Sequence, residues 1–427
     1  MSKADAALHV LINGRRIGGL QPDKTGALRF SYDGDWLAAG RHPLSLSMPV
    51  ERRDHGTEQT AAFFWGLLPD NAQILEGIAR RSERGGPCSP NSLARMLAKV
   101  GMDCAGAVQV VREEDLIEAV EGGEEVVLRD AQIAEALRRL AIHPAPQRMV
   151  NHEGQFSLAG AQPKLAYRKT ASGWAEPSGR IPTTHIFKPA NPRFDGLVET
   201  EHVCMAAASR LGLQVAHSEI RYFEDVSVIV VERYDRIEGR RIHQEDMCQA
   251  AGIRPGRKYE TDGGPGIDGI LTLLAASSSP QEDHRRFVDA LILNWLLLGT
   301  DAHAKNYSLL ITDRQIRLAP LYDIASYYPF MGDHVPKLAM RIGRRRQQDH
   351  IRRQNWLQHG FKTDYLDERM HEMIAQLPDA LADAIRACNA HGVRHPALAI
   401  TLAKTGDFCK WAAAHYNLGL IGKDFPP

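Results

Sequence analysis

The stretch ALILNWLLLGTDAHAKNYSLL, residues 290–310, places a polar loop directly after an unusually apolar helix. The loop holds Asp301 and Asn306 five positions apart, with a histidine and a lysine between them. The residues that follow, up to residue 324, are typical of two short strands that form a hairpin. A second acid, Asp323, lies at its end, seventeen positions after Asn306. The stretch therefore predicts a buried helix, a polar loop and a hairpin that together carry two acids and an amide.

This spacing matches the needs of phosphoryl transfer from a nucleotide to a hydroxyl group. The reaction needs a carboxylate that accepts or orients the hydroxyl proton, and oxygen ligands that hold Mg²⁺ against the phosphates. Asp301 is interpreted as the base, and Asn306 and Asp323 as the metal ligands. The same residue types are also ordinary in loops and helix caps, and one Asp-x4-Asn pattern alone is weak. The apolar helix and the later acid favour the kinase-like interpretation.

Composition indicates an ordinary globular protein of more than one domain. The 427 residues are 44% hydrophobic, and 52 Lys and Arg balance 52 Asp and Glu. This balance gives no overall electrostatic reason to bind nucleic acid or a membrane. The six cysteines are scattered without metal-ligand spacing, which is typical of reduced structural thiols. We find no signal peptide and no run long enough to span a bilayer, so we expect a cytoplasmic protein without a membrane partner.

The chain is predicted to form two domains that meet near residue 148, after a Pro-containing stretch. Residues 7–50 predict short strands joined by turns, and one of these strands is expected at residues 43–49. Helices are predicted after them. The fold class is α+β. Residues 1–148 are expected to form a β-rich N-terminal domain with helices, and residues 149–427 a two-lobed, kinase-like core with an all-helical C-terminal lobe.

Three features of the second domain are candidates for nucleotide contacts. FSLAGAQPKLAYRK, residues 156–169, predicts two strands joined by a turn that covers phosphates, with Lys164 adding charge. Lys188 lies on the strand TTHIFKPA, where a lysine reaches the α- and β-phosphates, and Glu201 on the next helix is a candidate to hold it. A later strand leads to a predicted hinge near residues 232–236. A plain hairpin, an exposed lysine and a solvated glutamate are the ordinary alternatives.

From residue 243 onward the pattern is helical, apart from a Gly-rich loop at residues 259–269. The block KLAMRIGRRRQQDHIRRQ, residues 337–354, concentrates basic residues in an otherwise neutral chain. Such a run is usually a solvated face. It is also the candidate for contact with an acidic partner such as DNA or tRNA.

Nine motifs together resemble the HipA-type serine/threonine kinase toxins of bacterial type II toxin–antitoxin modules. They are FFWGLLPDN, SLAGAQPK, TTHIFK, VERYDR, QEDMCQ, KYETDGGPG, GTDAHAKNYS, PLYDI and KLAM. Their order and spacing extend the resemblance over nearly the whole chain. It implies a protein kinase that binds ATP and Mg²⁺ between its lobes.

The resemblance also implies roles for individual residues. Asp301 resembles the family's proton acceptor, and Asn306 and Asp323 resemble its magnesium ligands. Lys188 resembles the lysine on the ATP phosphates. Ser157 matches the serine that family members autophosphorylate, which expels the nucleotide loop and silences the kinase. The other implied ATP contacts lie in the loop, the hinge and the catalytic segment: Ala159, Gly160, Ala161, Gln162, Pro163, Lys164, Glu232, Arg233, Tyr234, His303, Ala304, Lys305 and Asn306.

Partners follow from the resemblance as well. Family members phosphorylate aminoacyl-tRNA synthetases, of which glutamyl-tRNA synthetase is the best known, and thereby halt translation and favour a dormant, drug-tolerant (persister) cell. A HipB-like helix-turn-helix antitoxin binds the toxin, and the complex represses its operon, which implies contact with operator DNA through the antitoxin. Two features depart from the family. Pro163 replaces an acidic residue, and the basic block matches poorly, so no DNA-contact residue is assigned.

Two other functions fit some of the same residues. A small-molecule kinase would use the same base and metal ligands, and transfer of phosphate to a metabolite would identify it. A catalytically idle co-repressor scaffold would need only to hold an antitoxin on DNA. The presence of Lys188, Asp301, Asn306 and Asp323 argues against the scaffold, because nothing in its role requires all four.

Overall fold

The computed structural model describes residues 7–81, 86–142, 157–191, 193–333 and 335–416. The predicted domain boundary near residue 148 lies outside these residues and stays a prediction. Among the described residues, no helix combines the length and the apolar character needed to cross a membrane.

The N-terminal part is an antiparallel sheet covered by helices. Its elements are β1 (Leu8–Ile12), β2 (Arg15–Pro22), β3 (Leu28–Tyr32), α1 (Gly34–Ala38), β4 (Asp54–His55), α2 (Thr57–Gly66), α3 (Ala72–Arg80), α4 (Leu93–Val100), β5 (Val108–Val111) and α5 (Leu116–Val120). The strand order is β4-β3-β2-β1-β5. Alternating burial along β3 directs Leu28, Phe30 and Tyr32 into one core with α2, α3 and α4.

The prediction of a strand at residues 43–49 is wrong. Ser45 and Met48 form only an isolated bridge there. The hydroxyl of Tyr32 accepts from Leu44 N (2.7 Å) and donates to Met48 O (2.6 Å). A side chain from β3 therefore replaces the partner strand that these backbone groups would need.

A six-stranded antiparallel sheet follows, in the order β10-β11-β9-β7-β8-β6. Its region contains β6 (Glu125–Leu128), α6 (Asp130–Ile142), β7 (Leu165–Thr170), β8 (Gly173–Pro177), β9 (His185–Pro189), α7 (Leu197–Arg210), β10 (Ser218–Phe223), β11 (Val226–Glu232) and a small ribbon of β12 (Arg236–Ile237) and β13 (Arg240–Arg241). β6 pairs with β8, and α6 shares a buried cluster with β7, β9 and β11. The stretch 125–142, which the sequence interpretation gave to the first domain, thus packs with the second sheet.

The first of the two strands predicted within residues 156–169 is not present among the residues that the structure describes there. Residues 157–164 are irregular, and β7 begins only at Leu165. Their backbone bonds to the N-terminal part instead, since Ser157 N donates to Asp103 O (2.9 Å) and Gly160 O accepts from Asp70 N (3.1 Å).

The C-terminal lobe is largely helical, but it also contains a three-stranded sheet, β14-β15-β16. Its elements are β14 (His243–Asp246), α8 (Met247–Ala250), α9 (Ile267–Leu274), α10 (Pro280–Leu296), β15 (Ser308–Ile311), β16 (Ile316–Leu318), α11 (Arg353–Leu357), α12 (Thr363–Ala390) and α13 (Pro396–His415). The hairpin predicted after Asn306 is confirmed as β15 and β16. Residues 243–246 were predicted to be helical and instead pair with β15, a long-range contact that local periodicity does not report.

Candidate active site

The loop after α10 holds the predicted base and the predicted amide ligand at a fixed spacing. α10 is buried along most of its second half and anchors the loop in the core. The backbone carbonyl of Asp301 accepts from His303 N (2.8 Å) and from Asn306 Nδ2 (2.7 Å). The side chain of Asp301 is 69% exposed. A hydroxyl group from another molecule can therefore reach its carboxylate.

Lys188 lies between two carboxylates from other elements. Its Nζ is 2.7 Å from Glu201 Oε1 on α7 and 2.6 Å from Asp323 Oδ1, and its side chain is only 8% exposed. Burial disfavours the charged ammonium, but the two carboxylates outweigh burial and raise the pKa of Lys188. Strand β9 thus places a charged lysine beside Glu201, the partner that the sequence predicts.

Asp323 and Asn306 supply the kind of oxygen atoms that Mg²⁺ prefers. Asn306 uses its Nδ2 on the Asp301 carbonyl, which leaves Oδ1 for another contact. Although burial opposes ionisation, the ammonium groups of Lys188 and then Lys164 hold the pKa of Asp323 well below its usual range. Asp323 adopts a left-handed backbone conformation (φ 58°), which is uncommon for a residue other than glycine. Within the described residues, no group of three or more His, Cys, Asp and Glu side chains could hold a metal.

The irregular segment 157–164 covers one side of the same cleft. Gly160 has φ +111°, a backbone conformation that residues with a side chain rarely adopt, and this conformation favours glycine. Lys164 Nζ donates to Ala159 O (2.7 Å), and Gln162 Nε2 donates to Pro189 O (3.3 Å). Burial, and secondarily the charge of Lys188, lowers the pKa of Lys164 to about 8.

Two adjoining cavities share these side chains. The larger has a volume of about 560 Å³ and is lined by Asp301, Asn306, Asp323 and the covering segment. The smaller, about 130 Å³, is lined by the end of β11 and by apolar side chains such as Ile186 and Val231. Lys164, Lys188, Glu201, His303, Asn306 and Asp323 line both. Two lysines and two carboxylates therefore stand at the junction, and an apolar slot extends from it.

Two family descriptions match the chain. Residues 156–385, more than half of its 427 residues, match the HipA-like C-terminal domain, and residues 8–111 match the HipA N-terminal domain. The chain belongs to the HipA family. The resemblance predicted from the nine motifs is thereby confirmed.

Named relatives of this HipA-family chain are kinases. It is 34% identical over 391 residues to a putative kinase, Y4mE, of Sinorhizobium fredii, covering 88% of this chain and 90% of the relative. It is 30% identical over 346 residues to the serine/threonine-protein kinase toxin HipA of Shewanella oneidensis, covering 76% of each chain. These relatives support kinase activity, and with it the use of ATP.

The predicted fold class is confirmed by a solved structure. The toxin–antitoxin complex of Shewanella oneidensis HipA and HipB with operator DNA contains a chain that matches with a TM-score of 0.81. The match covers 98% of this chain and 100% of the other at 23% identity. The α+β architecture of this HipA-family chain is therefore that of HipA.

The side chains of two predicted hinge residues, Arg233 and Tyr234, lie in different surroundings. The Arg233 side chain lies in a buried ion cluster, where its guanidinium bonds Asp235 (2.9 Å) and Thr183 Oγ1 (2.9 Å). The Tyr234 ring lies 5.6 Å from that of Tyr322 and lines the smaller cavity. The guanidinium of Arg233 is therefore engaged within the protein, and its backbone N already donates to Thr184 O (2.9 Å).

Lys305 joins the catalytic segment to the N-terminal part of this HipA-family chain. Its buried Nζ lies 2.9 Å from Asp70 Oδ1 and 3.8 Å from Asp246 Oδ2. Burial opposes its charge, yet Asp246 and Asp70 raise its pKa. Lys305 lines the smaller cavity, as its predicted role requires, but its ammonium already has carboxylate partners.

Sequence reasoning missed Tyr259. Its hydroxyl donates a short hydrogen bond to Asp301 Oδ1, and its ring stands edge-on to His303 at 5.0 Å. Burial lowers the pKa of His303, so this imidazole is neutral near pH 7, and its Nδ1 has no protein partner among the described residues. Tyr259 belongs to the motif KYETDGGPG, but nothing in that motif indicates a contact with a residue 42 positions away.

Ser157 is buried and lines neither cavity. Its Oγ donates to Leu67 O (2.7 Å), and its N donates to Asp103 O (2.9 Å). Both carbonyls belong to the N-terminal part of the protein. The hydroxyl of Ser157 is thus bonded to Leu67 O, away from both cavities.

Several residues of the basic block already have intramolecular partners. Arg341 pairs with Glu260 (2.9 Å), and Arg353 pairs with Asp367 (2.6 Å). Arg344 and Arg345 are exposed. Contact of this block with DNA stays a prediction.

Proposed function

We propose that this HipA-family chain is a serine/threonine-protein kinase toxin that transfers the γ-phosphate of ATP to a protein hydroxyl, with Mg²⁺. One observation carries the proposal: Lys188 of β9 lines a single cavity of about 560 Å³ together with Asp301, Asn306 and Asp323, which lie more than a hundred positions later in the chain. No structural role would require all four to face the same space. The division into an N-terminal domain and a kinase core near residue 148 is part of the proposal.

In this mechanism the exposed carboxylate of Asp301 orients the acceptor hydroxyl and takes its proton. Lys188, held by Glu201, contributes positive charge where the transferred group develops negative charge. Mg²⁺, held by Asn306 and Asp323, would neutralise phosphate charge. The segment Ala159–Lys164 encloses the phosphates, the apolar slot receives adenine, and residues Glu232–Tyr234 line the slot beside it. His303 and the neighbouring Ala304 complete the nucleotide side of the cavity.

Ser157 is the proposed site of autophosphorylation. A phosphate carries about −2 charge at neutral pH, and on Ser157 Oγ it would replace the donor to the Leu67 carbonyl by acceptor oxygens. The phosphorylated segment would therefore be expelled from the cleft. Loss of the segment removes Lys164 and the cover over the nucleotide, which silences the kinase.

The proposed substrate is an aminoacyl-tRNA synthetase, with glutamyl-tRNA synthetase the first to test, so that the activity inhibits translation and promotes growth arrest and persistence. The proposed partner is a HipB-like antitoxin, through which the protein contacts operator DNA. Membership of the HipA family supports both proposals, and the complex of the Shewanella relative with HipB and operator DNA supports the second.

The test is incubation of the purified protein with Mg²⁺, γ-labelled ATP and a panel of aminoacyl-tRNA synthetases, followed by mass-spectrometric mapping. Label on one synthetase and on Ser157 is the expected result. Label on a metabolite instead of a protein would establish a small-molecule kinase. ATP binding without transfer to any acceptor would favour the scaffold.

A further inference from the structure

The loop that precedes α9 is held by an ion pair on each side of Tyr259. On one side, Lys258 Nζ lies 3.3 Å from Asp70 Oδ2 of the N-terminal part. On the other side, the Glu260 carboxylate accepts from Arg341 Nη1 (2.9 Å) and from Arg341 N (2.6 Å). The two residues next to Tyr259 are therefore both anchored, which restricts the backbone from which its side chain extends.

Tyr259 is the residue of this loop that reaches the proposed base. Its hydroxyl donates to Asp301 Oδ1, and its carbonyl closes a turn by accepting from Gly264 N (3.0 Å). The side chain of Asp301 is largely exposed, so this hydrogen bond restricts a carboxylate that otherwise lies mostly in solvent. A shift of the loop would therefore change the orientation of the base.

Asp70 supplies the N-terminal half of the contact. Its side chain is 10% exposed, and its second oxygen, Oδ1, lies 2.9 Å from Lys305 Nζ of the catalytic segment. Although burial opposes ionisation, Lys305 and then Lys258 hold the pKa of Asp70 below its usual value. Its backbone N donates to Gly160 O of the covering segment (3.1 Å). One buried, charged carboxylate thus meets the loop before α9 and the catalytic segment together.

We propose that the Asp70–Lys258 ion pair positions Tyr259 on the Asp301 carboxylate, so that the N-terminal part sets the orientation of the proposed base. The inference rests on the proposed function and adds Asp70 to it as a positioning residue. A lysine that has lost its buried partner is better solvated in water than in the protein. Without the Asp70 carboxylate, Lys258 would turn outward and release the loop on that side.

The test is a double-mutant cycle on kcat for the protein substrate that the native enzyme labels. Every protein in the cycle carries Ser157→Ala, so that self-silencing does not distort the rates. Tyr259→Phe should lower kcat about tenfold. Asp70→Asn acts through the same hydrogen bond, so its own fall should be about three- to tenfold and no larger than that of Tyr259→Phe. The double variant should be no slower than Tyr259→Phe alone.

A second variant separates positioning of the base from ATP binding, since Asp70 also lines the smaller cavity. Lys258→Met leaves the Asp70–Lys305 pair in place. It should lower kcat as Asp70→Asn does, again only while Tyr259 keeps its hydroxyl, and the Kd for ATP should stay at the native value. This variant takes the place of Asp70→Asn in the cycle if Asp70→Asn does not fold.

The matched control is Asp313→Asn. Asp313 pairs with Arg41 (2.8 Å) and so also joins the N-terminal part to the C-terminal lobe, but at the turn between β15 and β16. Its loss should leave kcat unchanged, both with Tyr259 and with phenylalanine at that position.

The possible failures have different signatures. The positioning inference is wrong, and the kinase assignment stands, if the variants of Asp70 and Lys258 keep the native kcat or lower it equally in the Tyr259→Phe protein. A fall that comes only from a weaker Kd for ATP, or an equal fall in Asp313→Asn, would overturn the inference as well. If the native enzyme transfers phosphate to no protein, the proposed function fails and the positioning inference fails with it.

Discussion

Replacing Lys188 by methionine removes the ammonium group from between two carboxylates of the cleft. The side chain of Glu201 is 3% exposed, and that of Asp323 is 38% exposed. Breaking a buried ion pair costs about 3–5 kcal/mol, and this range applies to Glu201. The more exposed Asp323 adds about 1 kcal/mol or less. Protonation of Glu201 recovers part of the loss, so we expect the free energy of unfolding to fall by about 3 kcal/mol.

The assay is urea unfolding followed by tryptophan fluorescence, at about pH 8 and about pH 5.5. In the variant the paired carboxylates ionise less readily in the folded chain than in the unfolded chain. The folded state therefore binds more protons, and the loss of stability should be larger at the higher pH. The control is Lys169→Met on β7, an exposed lysine over the Trp174 ring (4.2 Å), for which we expect a cost of about 0.5–1 kcal/mol. Equal losses in the two variants, or an equal loss at both pH values, would refute the ion-pair account.

Three further predictions concern single contacts of the cleft. Tyr259→Phe removes the hydrogen bond to the carboxylate of Asp301, so kcat for protein phosphorylation should fall about tenfold while the Kd for ATP stays unchanged. A change in steady-state kinetics that is confined to ATP affinity would contradict this prediction. Ser157→Ala should abolish self-silencing, so that a time course of synthetase phosphorylation stays linear where the native enzyme slows; equal slowing would assign the switch to another residue. Phosphates should raise the pKa of Lys164 from about 8, so ATP binding near that pH should be coupled to proton uptake in the native enzyme and not in the Lys164→Met variant. Calorimetry in buffers of different ionisation enthalpy measures the number of protons taken up. Identical uptake by the two proteins would exclude Lys164 as the group that is protonated.

The catalytic residues were accessible from the sequence because their spacing is local. Asp301 and Asn306 share one loop, and Asp323 follows after a hairpin whose length fixes its position. Lys188 was accessible because the strand pattern of β9 ends beside it. These features depend on local periodicity and turn chemistry, which a single sequence records.

Contacts between distant segments were not accessible in the same way. Ser157 is held by the backbone carbonyls of Leu67 and Asp103. Every residue has such a carbonyl, so the residue types at these positions do not indicate the contact. The strand predicted before Lys164 fails for the same reason, because its backbone partners, Asp70 N and Asp103 O, come from loops of the N-terminal part. The sequence placed Arg233 near the nucleotide, but it could not report the carboxylates of Asp103 and Asp235 that bind its side chain.

The measurement that tests the central claim most directly is phosphate transfer by Asp301→Asn. The side chain is 69% exposed, so the substitution should leave the melting temperature and the Kd for ATP unchanged. The native enzyme should transfer labelled phosphate from ATP to Ser157 and to a synthetase, and the variant should transfer none. Retained transfer in a folded, ATP-binding Asp301→Asn protein would contradict the assignment of Asp301 as the base and the mechanism built on it.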